Sequence, residues 1–321
     1  MHTVNVPNID GRIWNVDSVV AEIADAMHSH LMFAVTVDNE GPCAHSLGLY
    51  RILDDLCEKF SYTKTDITII TRNQLEHHSK YVIKRLPPFL HLGLSQQQAQ
   101  TDIVPKVFDN DFKHFGSFVG RSNWPRLYVS SYLFKQHRDK TLMTFHYNAD
   151  LDFHQSNLGL DDLVRLHSSH LTDLEPCELV AAAPIKYDAI DTYPIVAPDN
   201  AGLAGAYRDF FVEIAYETYS QGNSFFPTEK IWRPMANKTP FILQGSQHYL
   251  EHLRNLGFKT FGAWWDEGYN NDDYASHPDA ICNIIDKLAA MPTTELQAMY
   301  YDMSDTLAHN QHVVATMIGK K

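Results

Sequence analysis

The chain has 321 residues, 44% of them hydrophobic and 20% charged, a globular composition with enough apolar mass for about two domains. A formal net charge of −13 excludes a protein whose whole surface grips nucleic acid and leaves only a local basic groove open. No stretch approaches ~18 apolar residues, and no basic-then-apolar leader opens the chain, so the expectation is a soluble cytoplasmic protein without a membrane span.

The first fifteen residues read as extended or irregular. Val16 to His30 carries Val19, Val20, Ile23 and Met27 at helical spacing. "HLMFAVTVD", 30–38, is a continuous apolar, β-branched run and predicts a buried strand, broken by "NEGPC". "AHSLGLYRILDDLCEKF", 44–60, predicts a helix, and "DITIITRN", 66–73, a second buried strand. Strand, helix and strand with apolar strands is the pattern of a parallel α/β sheet. Residues 74–105 carry no clear periodicity, and a domain junction falls near 105–112.

The second half restarts the pattern. "HFGSFVG", 114–120, predicts a strand, "RSNWPRLYVSSYLFKQH", 121–137, a loop feeding a helix, and "KTLMTFHY" a strand. "LDDLVRLHSSHL" predicts a helix. "RDFFVEIAYET", 208–218, is apolar on most of both faces and reads as a central strand. A loop follows, then a helix opened by Thr228, a strand at 239–245, the helix "QHYLEHLRNLGF", a short strand "KTFG", and two helices between Pro278 and His309. Four widely spaced cysteines (Cys43, Cys57, Cys177, Cys282) read as buried thiols of a reducing compartment, and none of the 18 histidines shows H-E-x-x-H spacing.

The chemistry concentrates in "FFPTEKIWRP", 225–234. Thr228 suits an N-cap and Glu229 suits a first turn, but Lys230 opposes the helix dipole, at a cost of roughly 0.3–1 kcal/mol. An anion outside the helix would offset that cost. Ligands of open α/β sheets bind at the carboxyl ends of strands. There Arg121 and Arg126, after strand 114–120, could converge with Lys230 and Arg233 as a diphosphate cradle, with Glu217 and Glu229 accepting from ribose hydroxyls. The plainer alternative is an ordinary helix start with an intrahelical Glu229–Arg233 pair.

"DFFVEIAYETYSQGNSFFPTEKIWRPMANKTPFILQG" resembles the donor-binding signature of α1,3-fucosyltransferase-like, inverting GT-B glycosyltransferases. Glu217, Thr228-Glu229-Lys230, Pro240 and Gly245 occupy the matching places, and "GSFVGRSNWPRLYVSSYL" supplies Ser122, Asn123 and Arg126. The stretch through "LGFKTFGAWWDEGY" is also similar to uncharacterised glycosyltransferase-like proteins of bacteria and their phages, whose work would be done in the bacterial cytoplasm. "AYET" stands where fucosyltransferases have a Phe-Glu-Asn-Ser run, and their luminal targeting segment is missing.

The resemblance implies an α/β, GT-B-like fold: two Rossmann-like domains whose parallel sheets face a central cleft. Residues 1–108 would form the acceptor-side domain and 109–321 the nucleotide-sugar domain, whose last helices could pack back on the first. Lys230 and Arg126 would hold the diphosphate and Glu229 the ribose. The nucleotide sugar is a co-substrate, and neither cofactor nor metal is expected. For the base that takes the acceptor's proton, Asp38 and Glu40 follow the first-domain strand, although both also suit a turn around Gly41-Pro42.

A metal-dependent GT-A enzyme would instead use an Asp-x-Asp pair, for which "NADLDF" offers Asp150 and Asp152 and "FDNDF" offers Asp109 and Asp111. A non-catalytic nucleotide- or sugar-binding protein would keep the cradle without a base. "WWDEGYNNDD", 264–273, suits either an aromatic sugar platform or a packed corner. The acceptor is a glycan such as lipopolysaccharide, or a hydroxylated base of phage DNA, since residues 106–140 hold seven Lys/Arg against three Asp.

Overall fold

Val4 and Val6 are buried while Thr3 and Asn5 are exposed, so β1 (His2–Val6) packs one face inward. In a computed structural model, which describes residues 1–9, 12–13, 15–37, 41–86, 105–120, 124–146, 177–186, 205–220, 222–271 and 276–319, this strand begins the first of two parallel sheets. A short antiparallel ribbon, β2 (Asn8–Ile9) with β3 (Arg12–Ile13), leads to α1 (Val16–Ser29). The Asn15 side chain caps α1 by accepting from the Ser18 N–H at 3.3 Å. Val19, Ile23, Ala26 and Met27 form its buried stripe. β4 (Phe33–Val37), α2 (Leu49–Phe60), β5 (Ile67–Thr71) and β6 (Val82–Arg85) complete this half, with strand order β1-β4-β5-β6.

The second sheet holds β7 (Lys113–Val119), β8 (Thr141–Phe145), β9 (Phe210–Tyr216) and β10 (Phe241–Gln244), all parallel, in the order β10-β9-β7-β8. The helices of this half are α3 (Trp124–Gln136), α4 (Cys177–Ala182), α5 (Glu229–Ala236), α6 (Tyr249–Asn255), α7 (His277–Ala289), α8 (Thr293–Asp302) and α9 (Ser304–Gly319). All seven residues of β9 are buried, as its two apolar faces predict. Each half has its own large apolar cluster, one around Phe33, Val35 and Leu53, the other around Phe211, Ile214 and Trp232. The chain is thus α/β, with two four-stranded parallel sheets among the described residues. None of its described helices is long and apolar enough to cross a membrane.

Several expectations change. Residues 2–6 are a strand, and α2 begins at Leu49 because Ala44–Gly48 forms turns ending at Gly48, φ 75°. "KTFG" is not a strand: Lys259 and Phe261 give their N–H groups to the side chains of Asn310 and Glu267, so no ladder forms. The carboxyl-terminal stretch forms three helices, not two. Their Leu296, Met303, Leu307 and Val314 join the second cluster. The expected helix at "LDDLVRLHSSHL" lies outside the described residues. Cys43, Cys57 and Cys282 are buried and free, as expected.

The halves meet where Gly222–Phe226 lies against the carboxyl end of the first sheet. There Ser224 Oγ donates to the Gly41 carbonyl at 2.6 Å, and the Gln74 N–H donates to the Phe225 carbonyl at 3.0 Å.

Candidate functional site

In the second sheet the chain runs from β7 outward to β8 on one side, then crosses to β9 on the other. The strand order therefore reverses between β7 and β9, and the crevice beyond the carboxyl ends of those two strands is the expected ligand position in such a sheet. β9 delivers Glu217 and Thr218 to that edge, and α3 and α5 both start there after β7 and β9.

Thr228 is the N-cap of α5. Its backbone is extended (φ −109°, ψ −177°), and its Oγ1 accepts from the Lys230 N–H at 3.3 Å. The cap is held by Glu217. Glu217 Oε1 accepts from the Thr228 N–H at 3.1 Å and from the Tyr249 hydroxyl at 3.0 Å, while Oε2 accepts from Thr228 Oγ1 at 2.7 Å. Both carboxylate oxygens thus serve the protein, tying the end of β9 to the starts of α5 and α6. Burial pushes the Glu217 carboxyl upward, and the Lys230 charge and the Thr228 hydrogen bonds oppose that rise. Glu217 lies at the carboxyl end of β9, with both of its oxygens holding the cap of α5 and Tyr249.

Lys230 Nζ donates to Glu229 Oε1 at 2.7 Å and to Thr228 Oγ1 at 3.3 Å. Its unfavourable position on the dipole is offset in this structure by two carboxylates, Glu229 beside it and Glu217 behind the cap. Burial pushes Glu229 up, but the charge and hydrogen bond of Lys230, with Arg233 beyond, outweigh it and hold Glu229 at about 2. Glu229 is therefore ionised at neutral pH.

Arg126 belongs to the first turn of α3 and is buried. Its Nη2 donates to the Tyr216 carbonyl at 3.1 Å and to Thr218 Oγ1 at 3.2 Å. It thus reaches across the strand-order reversal, from the helix after β7 to the end of β9. Arg126, Glu217, Thr228, Glu229 and Lys230 are brought to one edge, as their order along the chain implies.

Arg233 is not part of that convergence. α5 runs back along the sheet, and one turn beyond Glu229 the guanidinium meets Glu213 in mid-strand, Nη2 to Oε1 at 3.4 Å. Glu213 also accepts from the Tyr207 hydroxyl at 2.5 Å. Close by, Lys106 Nζ donates to the carbonyls of Tyr207 (2.8 Å) and Phe210 (2.5 Å) and to Thr239 Oγ1 at 3.1 Å. Burial pushes Glu213 up to about 7 and Lys106 down to about 7, each only partly countered by opposite charges nearby. This is a polar cluster under the sheet at the start of β9.

Asp109 and Asp111 also fall at the wrong end. They are exposed in the turn before β7, where Asp109 Oδ1 accepts from the Asp111 N–H at 3.0 Å. No family model matches this chain, and no curated protein does either. Among the described residues no group of three or more His, Cys, Asp or Glu side chains is placed to hold a metal ion. Asp38, Glu40, Arg121, Ser122, Asn123, Asp150 and Asp152 lie outside the described residues.

"WWDEGYNNDD" is a packed corner where it is described. Trp265 is buried and stacks on Phe261 with ring centroids 5.3 Å apart, Trp264 Nε1 donates to Asp302 at 2.7 Å, and the Tyr269 hydroxyl accepts from the Leu243 N–H at 3.1 Å. Sequence reasoning places Thr218 at the end of the central strand without a role and misses Tyr249; these two hold Arg126 and Glu217. Their only sequence signal is position, one opening the helix after β10 and the other following β9.

Proposed function

We propose that the chain is a GT-B-like glycosyltransferase that takes a sugar from a nucleoside diphosphate and passes it to an acceptor hydroxyl with inversion. The observation that carries this reading is the placing of Arg126 and Lys230 on either side of the end of β9, each in the first turn of a helix, at the reversal of strand order. Each helix start adds roughly half a positive charge. Arg126, Lys230 and two helix starts outweigh the Glu217 and Glu229 carboxylates and leave a positive edge that suits an anion, and the resemblance to fucosyltransferase-like donor domains makes that anion a diphosphate.

The chemistry follows from charge. As the bond from the anomeric carbon to the phosphate breaks, negative charge grows on the leaving oxygen. Fixed cations already aimed there stabilise the transition state more than the ground state. Lys230 and Arg126 take that role, and Glu229, ionised and at the edge, accepts from the ribose hydroxyls. Glu217 positions Thr228 and so the first turn of α5. Asp38 or Glu40, next in the chain after β4, deprotonates the acceptor. A glycan is favoured as acceptor over a hydroxylated DNA base, because Arg126 is committed to the donor and Lys106 and Lys113 are bound to backbone carbonyls.

Titration calorimetry of the full chain with ADP, CDP, GDP, UDP and dTDP tests the reading. One of them is expected to bind, and Lys230→Ala is expected to weaken that binding by about 10- to 100-fold, the loss of one charge-assisted hydrogen bond. Turnover should fall further than affinity. No binding by any of the five would remove the reading. Turnover of the sugar donor when an acceptor is present separates an enzyme from a binding protein, and mass spectrometry of host glycans and DNA after expression identifies the acceptor.

A further inference from the structure

The segment joining Glu217 to Thr228 is held by the other half of the molecule. Asn73, which follows β5 of the first sheet, is completely buried. Its Nδ2 donates to the Asn223 carbonyl at 2.7 Å, and its Oδ1 accepts from the Phe225 N–H at 2.9 Å and the Leu75 N–H at 3.1 Å. One side-chain amide thus reads both a carbonyl and an N–H of the second half, as a strand neighbour would. Glu76 holds the other side of Asn73: its Oε2 accepts from Asn73 Nδ2 at 3.4 Å and from the Ala44 N–H at 2.9 Å, and its Oε1 from the Tyr50 hydroxyl at 2.9 Å. The amide is therefore fixed in orientation by its own domain before it meets the segment.

The fit around it is tight. A Cβ on Gly41 would lie 2.8 Å from both the Asn73 nitrogen and Phe226 Cβ, and one on Gly222 would lie 2.0 Å from Ser46 Oγ. Both glycines also have positive φ, 69° and 66°. Ser224, inside the segment, donates to Gly41 O and accepts at its own carbonyl from Ser246, just past β10. Tyr219 adds a hydrogen bond to Asn8 at 2.5 Å. Residues from both sheets converge on five residues of chain that end two positions before the N-cap of α5.

We infer that Asn73 is a positioning residue for the donor edge: the first domain sets the place of Thr228 and Lys230 by gripping Gly222–Phe226 through the Asn73 amide. This rests on the reading of that edge as a nucleoside-diphosphate site. The two domains are then coupled without a ligand crossing between them, because any shift of the first sheet relative to the second moves the first turn of α5. Asn73 itself touches no substrate in this scheme.

The test uses the full chain with Asn73→Ala, Lys230→Ala and the double variant, titrated with ADP, CDP, GDP, UDP and dTDP. Asn73→Ala should weaken the diphosphate that binds wild type by about 10-fold, and Lys230→Ala should then cost about 10-fold less in the Asn73→Ala background than it costs alone. A merely structural Asn73 would leave the two losses multiplying. Amide hydrogen exchange on the nucleotide-free protein is the second readout. The N–H groups of Thr228 and Lys230 bond to Glu217 and Thr228, not to Asn73. They should exchange at least about 10-fold faster in Asn73→Ala.

Unchanged exchange there, or fully multiplicative losses, overturns the inference. Faster exchange in a protein whose wild type binds none of the five diphosphates keeps the coupling and overturns only the donor reading. Should Asn73→Ala fail to fold, Ser224→Ala removes just the bond to Gly41 and is held to the same exchange criterion.

Discussion

At the scale of single residues, Glu217 is where two chemistries compete. A carboxylate buried at the end of a central strand costs free energy unless its oxygens are satisfied, and here they accept three hydrogen bonds from Thr228 and Tyr249. Glu217→Ala removes the acceptor of the Thr228 N–H and breaks the bond from the Tyr249 hydroxyl, and should cost about 1–3 kcal/mol of stability in denaturant melts. Glu217→Gln keeps one acceptor oxygen and removes a buried charge, so its cost should stay under about 1 kcal/mol, with donor affinity within about 3-fold of wild type. A Glu217→Gln protein that melts normally but loses donor binding would return Glu217 to the ribose. The sequence locates this residue through the strand pattern before it and the Thr-Glu-Lys triplet after it. Its partners are invisible there, since Tyr249 lies on the helix after the next strand.

At the scale of elements, β9 and α5 show what periodicity reads and what it loses. An apolar run with one glutamate still reads as a central strand, and the buried β9 agrees. The i, i+4 spacing of Glu229 and Arg233 suggests either an intrahelical pair or a joint site, whereas the guanidinium turns to the buried Glu213 and Glu229 pairs with Lys230 instead. β6, "VIKR", escaped notice because an edge strand with mostly exposed side chains carries no apolar run.

The Glu213 cluster has a pH signature. In the fold Glu213 keeps its proton up to about pH 7, whereas the unfolded chain releases it near 4.5. Between those values the folded state binds the extra proton, so stability falls as pH rises from about 4.5 to 7. Lys106, held at about 7 in the fold against 10.5 in the unfolded chain, acts the other way and raises stability above pH 7. Arg233 faces the same cluster and stays charged throughout this range, and the Asp209 carboxylate favours the charged form of Lys106. Urea melts of wild type should show a falling midpoint from pH 5 to 7, and Glu213→Gln should flatten that fall while leaving the rise above pH 7 in place. An identical slope in both proteins would show that Glu213 titrates normally.

At the scale of the whole molecule, the two sheets were readable because each half repeats apolar strand, amphipathic helix, apolar strand. How the halves face one another was not, because the contact is made by Asn73, Gly41, Ser224 and Gly222, small or polar residues with no periodic signal. The residues just before 109 also touch the second half. Lys106 and Phe108 already belong to the second core, the first bonded to Tyr207, Phe210 and Thr239, the second packed on Phe112 and Tyr300. A fragment of residues 105–321 should therefore fold cooperatively. One starting at residue 109 strands two buried carbonyls and leaves Glu213 with a single cation, a loss of about 1–3 kcal/mol and a clearly lower melting midpoint. The longer fragment lacks Asn73, so its Gly222–Phe226 segment has no first-domain partner. It should bind the nucleoside diphosphate about 10-fold more weakly than the full chain, the same loss as Asn73→Ala. Thermal melts and calorimetry on the two fragments and the full chain measure both effects. Full-strength binding by the 105–321 fragment would show that the second sheet shapes its edge alone, and equal melting of the two fragments would place Lys106 outside the core.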